Sequence, residues 1–278
     1  MKKHYLGTSY LVFVFILMYA PIFYMIFFAF NRGNYMTSFT GFSLRHFGNM
    51  FSDRRLMSIL LNTFIIAFLS SLLATLIGTF GALGIYQTKQ KGIKNILLSL
   101  NNILLVSPDV IIGASFLILF TMFGLTLGFG SVLLAHIAFS IPIVVLMVLP
   151  RLNEMNSALI SAAQDLGANW RQVLSRVILP YAWPGILAGF FMAITYSLDD
   201  FAVTFFVTGN GFSTLSVEIY ARARHGIDLS INALSALMFM VSLILVMIYY
   251  YIMTRSKKST QTKRDKMIVE SKEMVVRR

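Results

Sequence analysis

Six apolar stretches, each long enough to cross a bilayer, decide what this chain can fold into. They run roughly Ser9–Phe30, Leu61–Ile85, Ile96–Phe123, Ser131–Leu149, Ala182–Val207 and Ala233–Thr254. A spanning helix needs about 20 mostly apolar residues, and in lipid a helix satisfies its own backbone hydrogen bonds. Of the 278 residues, 57% are hydrophobic and only 12% charged, too apolar a mixture for an ordinary soluble domain. The expected class is an all-α membrane protein with six transmembrane helices. It is read as one domain over 1–255, followed by a basic tail over 256–278. Spans three and four are the hardest to separate, since only Gly124–Gly130 lies between them.

The net charge of +12 invites comparison with nucleic-acid binders, but its distribution points elsewhere. With the N-terminus inside, the inner segments carry Lys2, Lys3, Lys89, Lys91, Lys94, Arg151, Arg171, Arg176 and the basic residues from Arg255 to Arg278. The outer loops hold Arg32, Arg45, Arg54, Arg55, Arg222 and Arg224. This skew follows the positive-inside rule and predicts a multi-pass protein of the cell membrane with both termini cytoplasmic. No nucleic-acid partner is expected. Cysteine is absent, which excludes disulfides and thiolate metal sites, and no metal centre is expected. Lys2-Lys3-His4 before an apolar run imitates a signal peptide, but the run is long and no small-x-small cleavage pattern follows it, so an uncleaved first helix is expected.

Between the spans, the outer loop 31–60 contains Phe39, Phe42, Leu44 and Phe47, which suit a short amphipathic piece at the membrane surface. The loop 209–231 opens on the turn signal Gly209-Asn210-Gly211, and Ser216–His225 reads as a brief helix. Its Glu218 and Asp228 are expected to be solvated or to pair with Arg222 and Arg224. Gly78, Gly81 and Gly84, with Ala74 a turn earlier, mark a face for close helix packing in lipid. Pro21 and Pro142 lie inside spans one and four and are expected to kink them.

One segment, 150–181, is amphipathic and looks soluble although it sits between spans four and five. Ala158, Leu159, Ala162, Ala163 and Leu166 recur at helical spacing and form one apolar face. Asn156 or Ser157 can cap the start, and Gly167 is placed to end the helix in a left-handed conformation. A second short helix follows at about Trp170–Ile178, and Pro180 is expected to stop it. A water-facing helix-turn-helix of this kind implies a partner outside the bilayer.

The segment resembles the EAA loop of ATP-binding-cassette importer permeases, whose pattern is Glu-Ala-Ala, three residues, Gly, nine residues, Ile-x-Leu-Pro. Ala162, Ala163, Gly167, Leu179 and Pro180 match at that spacing; Ser161 replaces the glutamate and Val177 the isoleucine. Ser107-Pro108-Asp109, Ala163-Gln164-Asp165-Leu166-Gly167-Ala168, Leu198-Asp199-Asp200 and Phe206-Val207-Thr208-Gly209 extend the likeness to the second permease subunit of spermidine/putrescine importers. The resemblance implies the type I importer (MetI-like) permease fold. It implies coupling to an ATPase through Ser161, Ala162, Ala163, Asp165, Gly167, Leu179 and Pro180. The implied partners are a homologous permease, two ATPase subunits that bind ATP and Mg, and an extracytoplasmic binding protein delivering the polyamine. Replacement of the motif glutamate by Ser161 removes a carboxylate expected near the ATPase.

Asp109, Asp199 and Asp200 fall within the expected spans, where a charge costs about 2.5–3.5 kcal/mol on insertion scales. Such acids usually face a pathway or a partner, and a protonated amine chain is matched by carboxylates and aromatic rings. Tyr196 shares a helical face with the acids that follow it, and Tyr19 offers another ring on span one. Ser107-Pro108-Asp109 reads equally as a helix start with a proline and an acid in the first turn. Adjacent Asp199 and Asp200 point about 100° apart on a helix, so one can line a path while the other bonds a neighbour. His136 reads as a packed, hydrogen-bonded histidine. No Gly-x-x-x-x-Gly-Lys-[Ser/Thr] run is present, so the chain is expected to be a permease without enzymatic activity or a cofactor of its own. The competing readings are a permease for another small solute, a stand-alone secondary transporter or channel, and an intramembrane aspartyl protease. The second does not explain the water-facing segment, and the protease's Gly-x-Gly-Asp is absent.

Overall fold

Apolar length sets the helices, and prolines and carboxylates set where they break. The computed structural model describes residues 2–225 and 229–276, with backbone alone for 2–6, 225, 252–253 and 255–276. In chain order the helices are α1 (Lys2–Ala29), α2 (Arg45–Ser52), α3 (Arg54–Gln87), α4 (Lys91–Val106), α5 (Asp109–Met122) and α6 (Phe129–Asn153). They continue with α7 (Ala158–Asp165), α8 (Trp170–Val173), a π-helical turn (Leu174–Ile178), α9 (Leu179–Asp199), α10 (Ala202–Val207), α11 (Leu215–His225) and α12 (Leu229–Val276). Among the described residues the only β pairing is an isolated bridge between Asn31 and Phe42. Among the described residues five helices are long and apolar enough to span a membrane, and six spans result when the bent pair α4–α5 is taken as one. Pro21 and Pro142 lie inside uninterrupted α1 and α6.

Four boundaries differ from expectation. The stretch 96–123 is not one rod: α4 and α5 meet at 105°. Pro108 has no N–H and forces Ser107 out of the helical region, to φ −69°, ψ 140°. The fifth span ends at Asp199, because Asp200 is extended (ψ 121°) and opens the separate helix α10. Pro180, expected to stop a helix, sits inside a continuous one from Trp170 to Asp199. The helix absorbs Pro180 by widening just before it, where the Leu179 N–H reaches back to the Leu174 carbonyl. The final helix also continues past Thr254, through Val276. Asp228 lies outside the described residues.

The chain packs as two units, residues 1–63 with 213–243, and 64–212 with 244–278. In the second, α6 is the central helix: 61% of its apolar window is buried. Glycines bring its neighbours in. A Cβ on Gly78 of α3 would lie 2.7 Å from the Val144 Cβ, one on Gly189 of α9 3.1 Å from the Val144 Cα, and one on Gly185 2.8 Å from the Met147 carbonyl. Of the glycine face expected on α3, Gly78 and Gly81 approach α6, whereas a Cβ on Gly84 would meet nothing within 4 Å. Two apolar cores result. One gathers Val144, Val148, Leu152, Val173 and Ile178. The other gathers Ile66, Ile112, Phe120, Val132, Phe139 and Val203. Gly113 of α5 seats against α10, with Phe206 2.8 Å from its added Cβ.

In the first unit, buried Glu218 of α11 accepts from Arg55 (3.2 Å) and from Arg222 Nε (2.8 Å). Asp53 caps α3, accepting from the N–H groups of Arg55 and Leu56, and meets Arg222 at 3.4 Å. Partial burial pushes the Asp53 carboxyl up, but its hydrogen bonds from Leu56, Arg222 and Arg55 outweigh that and hold it below the usual range. Arg224 does not join the pairing; its guanidinium lies over the Tyr220 ring at 5.8 Å.

Gly78→Ala is expected to destabilise the protein by about 1–3 kcal/mol through overpacking against Val144. Gly84→Ala, with open space around it, should be neutral or stabilising by roughly 0.5–1 kcal/mol. Thermal midpoints of the purified detergent-solubilised protein measure the contrast.

Candidate functional site

The two interruptions of the spans in the second unit carry its polar sites, one exposed and one buried. At the first, Asp109 opens α5 immediately after the proline break and is exposed. Tyr196, on the last turn of α9, donates its hydroxyl proton to Asp109 Oδ1 at 2.8 Å. The phenol ring stands edge-on to Phe139 of α6, with centroids 5.1 Å apart at 77°. Segments far apart in sequence thus converge on a carboxylate backed by aromatic rings. Asp199 follows on the same end of α9, exposed and without a hydrogen-bond partner among the described residues. The group combines anionic oxygens with π faces, a combination suited to a cationic amine.

At the second interruption Asp200 is buried, and its oxygens are occupied. They accept from the N–H of Val203 (3.2 Å), the N–H of Thr204 (2.8 Å) and the Thr204 hydroxyl (2.7 Å). Asp200 therefore caps α10, satisfying donors that a helix start leaves open. Behind it lies fully buried His136, with Nε2 2.8 Å from Thr204 Oγ1 and 3.5 Å from Asp200 Oδ2, and Nδ1 2.7 Å from Ser197 Oγ. The Thr204 hydroxyl gives its single proton to Asp200, so it accepts from a proton on His136 Nε2. With Nε2 protonated, Nδ1 is free to accept from the Ser197 hydroxyl, and Ser70 lies 3.3 Å beyond Ser197. The network ties α3, α6, α9 and α10 together.

Of the expected path residues, the structure joins Asp109 with Tyr196, leaves Asp199 open and commits Asp200 to capping. Tyr19 belongs to the first unit, on α1, with its ring next to those of Phe15 and Phe23. Ser197, Thr204 and Ser70 were not singled out from sequence. The available signal was an acid immediately ahead of the short apolar run 202–207, which is N-cap chemistry.

The segment after α6 forms the second candidate surface. Asn156 Oδ1 accepts from the Ala158 N–H and begins α7. Gly167 ends it at φ 82°, with Ala168 N–H donating to the Ala163 carbonyl and Gly167 N–H to that of Gln164, a Schellman turn. Asn169 and Gln172 then cap α8 reciprocally. The helix turns inward on Ile160 and Ala163. Leu159, Ala162 and Leu166 are exposed, Leu166 at 89%, beside exposed Ser161 and Asp165. Leu179 is partly buried against the core, and Pro180 is exposed. An open cavity of about 370 Å³ lies against Ala163, Leu166, Gly167, Gln172, Arg176 and Val177.

The profile of the family described as binding-protein-dependent transport system inner membrane component matches residues 74–259. The spermidine/putrescine transport system permease protein PotC of Haemophilus influenzae is 34% identical, over 89% of this chain and 96% of that protein. The putrescine transport system permease protein PotI of Escherichia coli K12 is 31% identical, over 88% of this chain and 89% of that one. Among solved structures, a chain of a bacterial ABC transporter importing the polysaccharide alginate superposes with a TM-score of 0.70 at 18% identity, covering 91% and 96% of the two chains. A chain of the inward-facing MetNI methionine transporter gives 0.62 at 19%, covering 73% of this chain and 98% of that one. The fold is that of the type I ABC importer permeases.

His136→Leu would remove one buried partner each from Thr204, which keeps Asp200, and from Ser197, which keeps Ser70, at roughly 1–3 kcal/mol in all. The expected outcome is a lower thermal midpoint of the solubilised protein, with Ser70→Ala, at the edge of the network, costing less.

Proposed function

The chain belongs to the binding-protein-dependent transport system inner membrane component family, and from that membership we propose that it is one permease subunit of an ATP-driven polyamine importer. It is a multi-pass inner-membrane protein and homologous to the curated spermidine/putrescine and putrescine permeases. It forms one side of the translocation path and pairs with a homologous permease. Two ATPase subunits carry ATP and Mg, an extracytoplasmic binding protein delivers spermidine or putrescine, and both termini are cytoplasmic. The chain itself performs no hydrolysis.

The observation that carries the substrate reading is the Tyr196 hydroxyl on Asp109 at the proline break, with exposed Asp199 three residues further along α9. A polyamine leaving water needs anions and rings spaced along its length, none binding so tightly that release stops. Asp109 and Asp199 supply charge, while the rings of Tyr196 and Phe139 supply cation–π surface. Tyr196 holds Asp109 in place. Asp200 holds the helix end on which Asp199 stands.

Coupling runs through a single rod. The exposed Leu159, Ala162 and Leu166 seat in an ATPase groove, and Ser161 and Asp165 meet its rim. Gly167, Leu179 and Pro180 fix the angle at which α7 joins the helix from Trp170 to Asp199. Displacement of α7 is thereby delivered to Tyr196 and Asp199 at the far end of that helix. Arg171 and Arg176 leave this element basic on balance, so without the motif glutamate its partner groove is acidic.

Asp109→Asn and Asp199→Asn are each expected to lower uptake of labelled spermidine about tenfold, the equivalent of one charge-assisted hydrogen bond of about 1.5 kcal/mol, with assembly intact by co-purification. Wild-type uptake in both variants removes the path assignment. Gly167→Val strains the left-handed turn. It should leave substrate binding by the partner protein unchanged while reducing substrate-stimulated ATP hydrolysis by the assembled complex; full stimulation counts against the coupling role.

A further inference from the structure

The segment after α1 turns back along its own helix. The Tyr24 hydroxyl donates to the Met36 carbonyl at 3.0 Å. Phe39 packs on Phe27 at 4.6 Å, and Phe42 stacks on Phe30 at 5.3 Å. The apolar stretch of α1, Gly7–Ala29, has 23 residues. At 1.5 Å per residue it is about 34 Å long, against a hydrocarbon core of about 30 Å. Its outer end therefore lies at the lipid boundary, and Tyr24 lies about 8 Å further in. The loop around Met36 and Phe39 is thus at the depth of the headgroups or just beneath them.

Irregular backbone at that depth cannot rely on water for its hydrogen bonds. Here side chains provide them. Asn31, fully buried, donates to the carbonyls of Tyr35 (3.1 Å) and Ser38 (2.9 Å), and its Oδ1 accepts from the Thr40 N–H (2.8 Å). The His46 ring meets the Gly33 carbonyl at 2.9 Å. Meanwhile the loop turns apolar rings outward, Tyr35 being 76% and Phe42 71% exposed, and Phe51 of α2 is exposed as well. Arg32 and Arg45, both exposed, flank them.

We propose that residues 31–51 are an outer-leaflet lipid-binding platform. The rings of Tyr35, Phe42 and Phe51 seat among the upper acyl carbons, and Arg32 and Arg45 hold the phosphates of anionic phospholipid. Aromatic rings favour this depth, and a guanidinium matches a phosphate in geometry and charge. A water-soluble partner would cover the rings equally well, but it gives no reason for carbonyls beside Tyr24 to be satisfied by side chains. The platform is continuous with the lipid-facing surface of α1, of whose apolar window only 6% is buried.

The chain has no cysteine, which permits single spin labels. The full-length chain in its native assembly, in nanodiscs, would carry Phe42→Cys or Phe51→Cys, with exposed Ser175→Cys as the water reference. Labels at 42 and 51 should relax with oxygen and be shielded from a nickel chelate, with the reverse at 175. Nickel access at 42 and 51 overturns the proposal, as does shielding that appears only when the extracytoplasmic binding protein is added. Phosphatidylglycerol in place of phosphatidylcholine should raise the thermal midpoint, and Arg32→Gln with Arg45→Gln should abolish that rise. An undiminished rise in the double variant overturns the headgroup assignment.

Discussion

A backbone group that loses its helical partner inside a bilayer must find another, and this constraint governs where the chain can break. At one interruption in the second unit a side chain does this: Asp200 takes the first N–H groups of α10. At the proline break Ser107 adds its hydroxyl, at 2.7 Å, to the Ile103 carbonyl that also accepts its own N–H. Where no side chain is available the helix deforms instead of breaking, as at the wide turn ahead of Pro180. The carboxylate sites follow from these breaks, since Asp109 and Asp200 both stand where the chain stops being regular, whereas buried hydroxyls such as Ser70 and Ser140 lie within regular helix.

Support for the site comes from close helix approach. Val144 of α6 meets Gly78 from one side and Gly189 from another, so α3, α6 and α9 form a tightly packed core. Asp109 and Tyr196 come from either side of this core and meet beside Phe139. Their geometry therefore depends on backbones rather than on flexible side chains, which suits a pathway that must offer a charge without surrounding it.

The spans were legible because apolar length in lipid has few alternative explanations. The turn at Gly167 was legible too, because a glycine ending an alanine-rich run needs a left-handed residue, and its φ is 82°. The roles of the two neighbouring aspartates were not. Their sequence positions differ by one, but Asp199 faces outward and Asp200 faces His136, and only the partners from α6 and α10 make that difference. The apolar stripe of α7 was legible as a stripe, and Leu159, Ala162 and Leu166 of it are exposed. Periodicity alone did not say which of its residues turn toward the protein, as Ala163 does. Pro180 was read as a stop, whereas the cost of its missing N–H is met by a change of pitch; Pro108, legible as a helix start, makes a full bend of what was read as one span.

The wide turn at Leu174–Ile178 has a bearing on how such a chain can change over time. It holds one residue more than a regular helical turn of the same rise. Deleting one residue there would restore ordinary pitch and leave the following span in phase, with the phenol of Tyr196 still turned toward Asp109, because the extra residue is taken up within the turn itself. The same deletion in the regular helix that follows would rotate everything downstream by about 100°, so the wide turn is the place in this stretch where a change of length can be absorbed without redirecting the span.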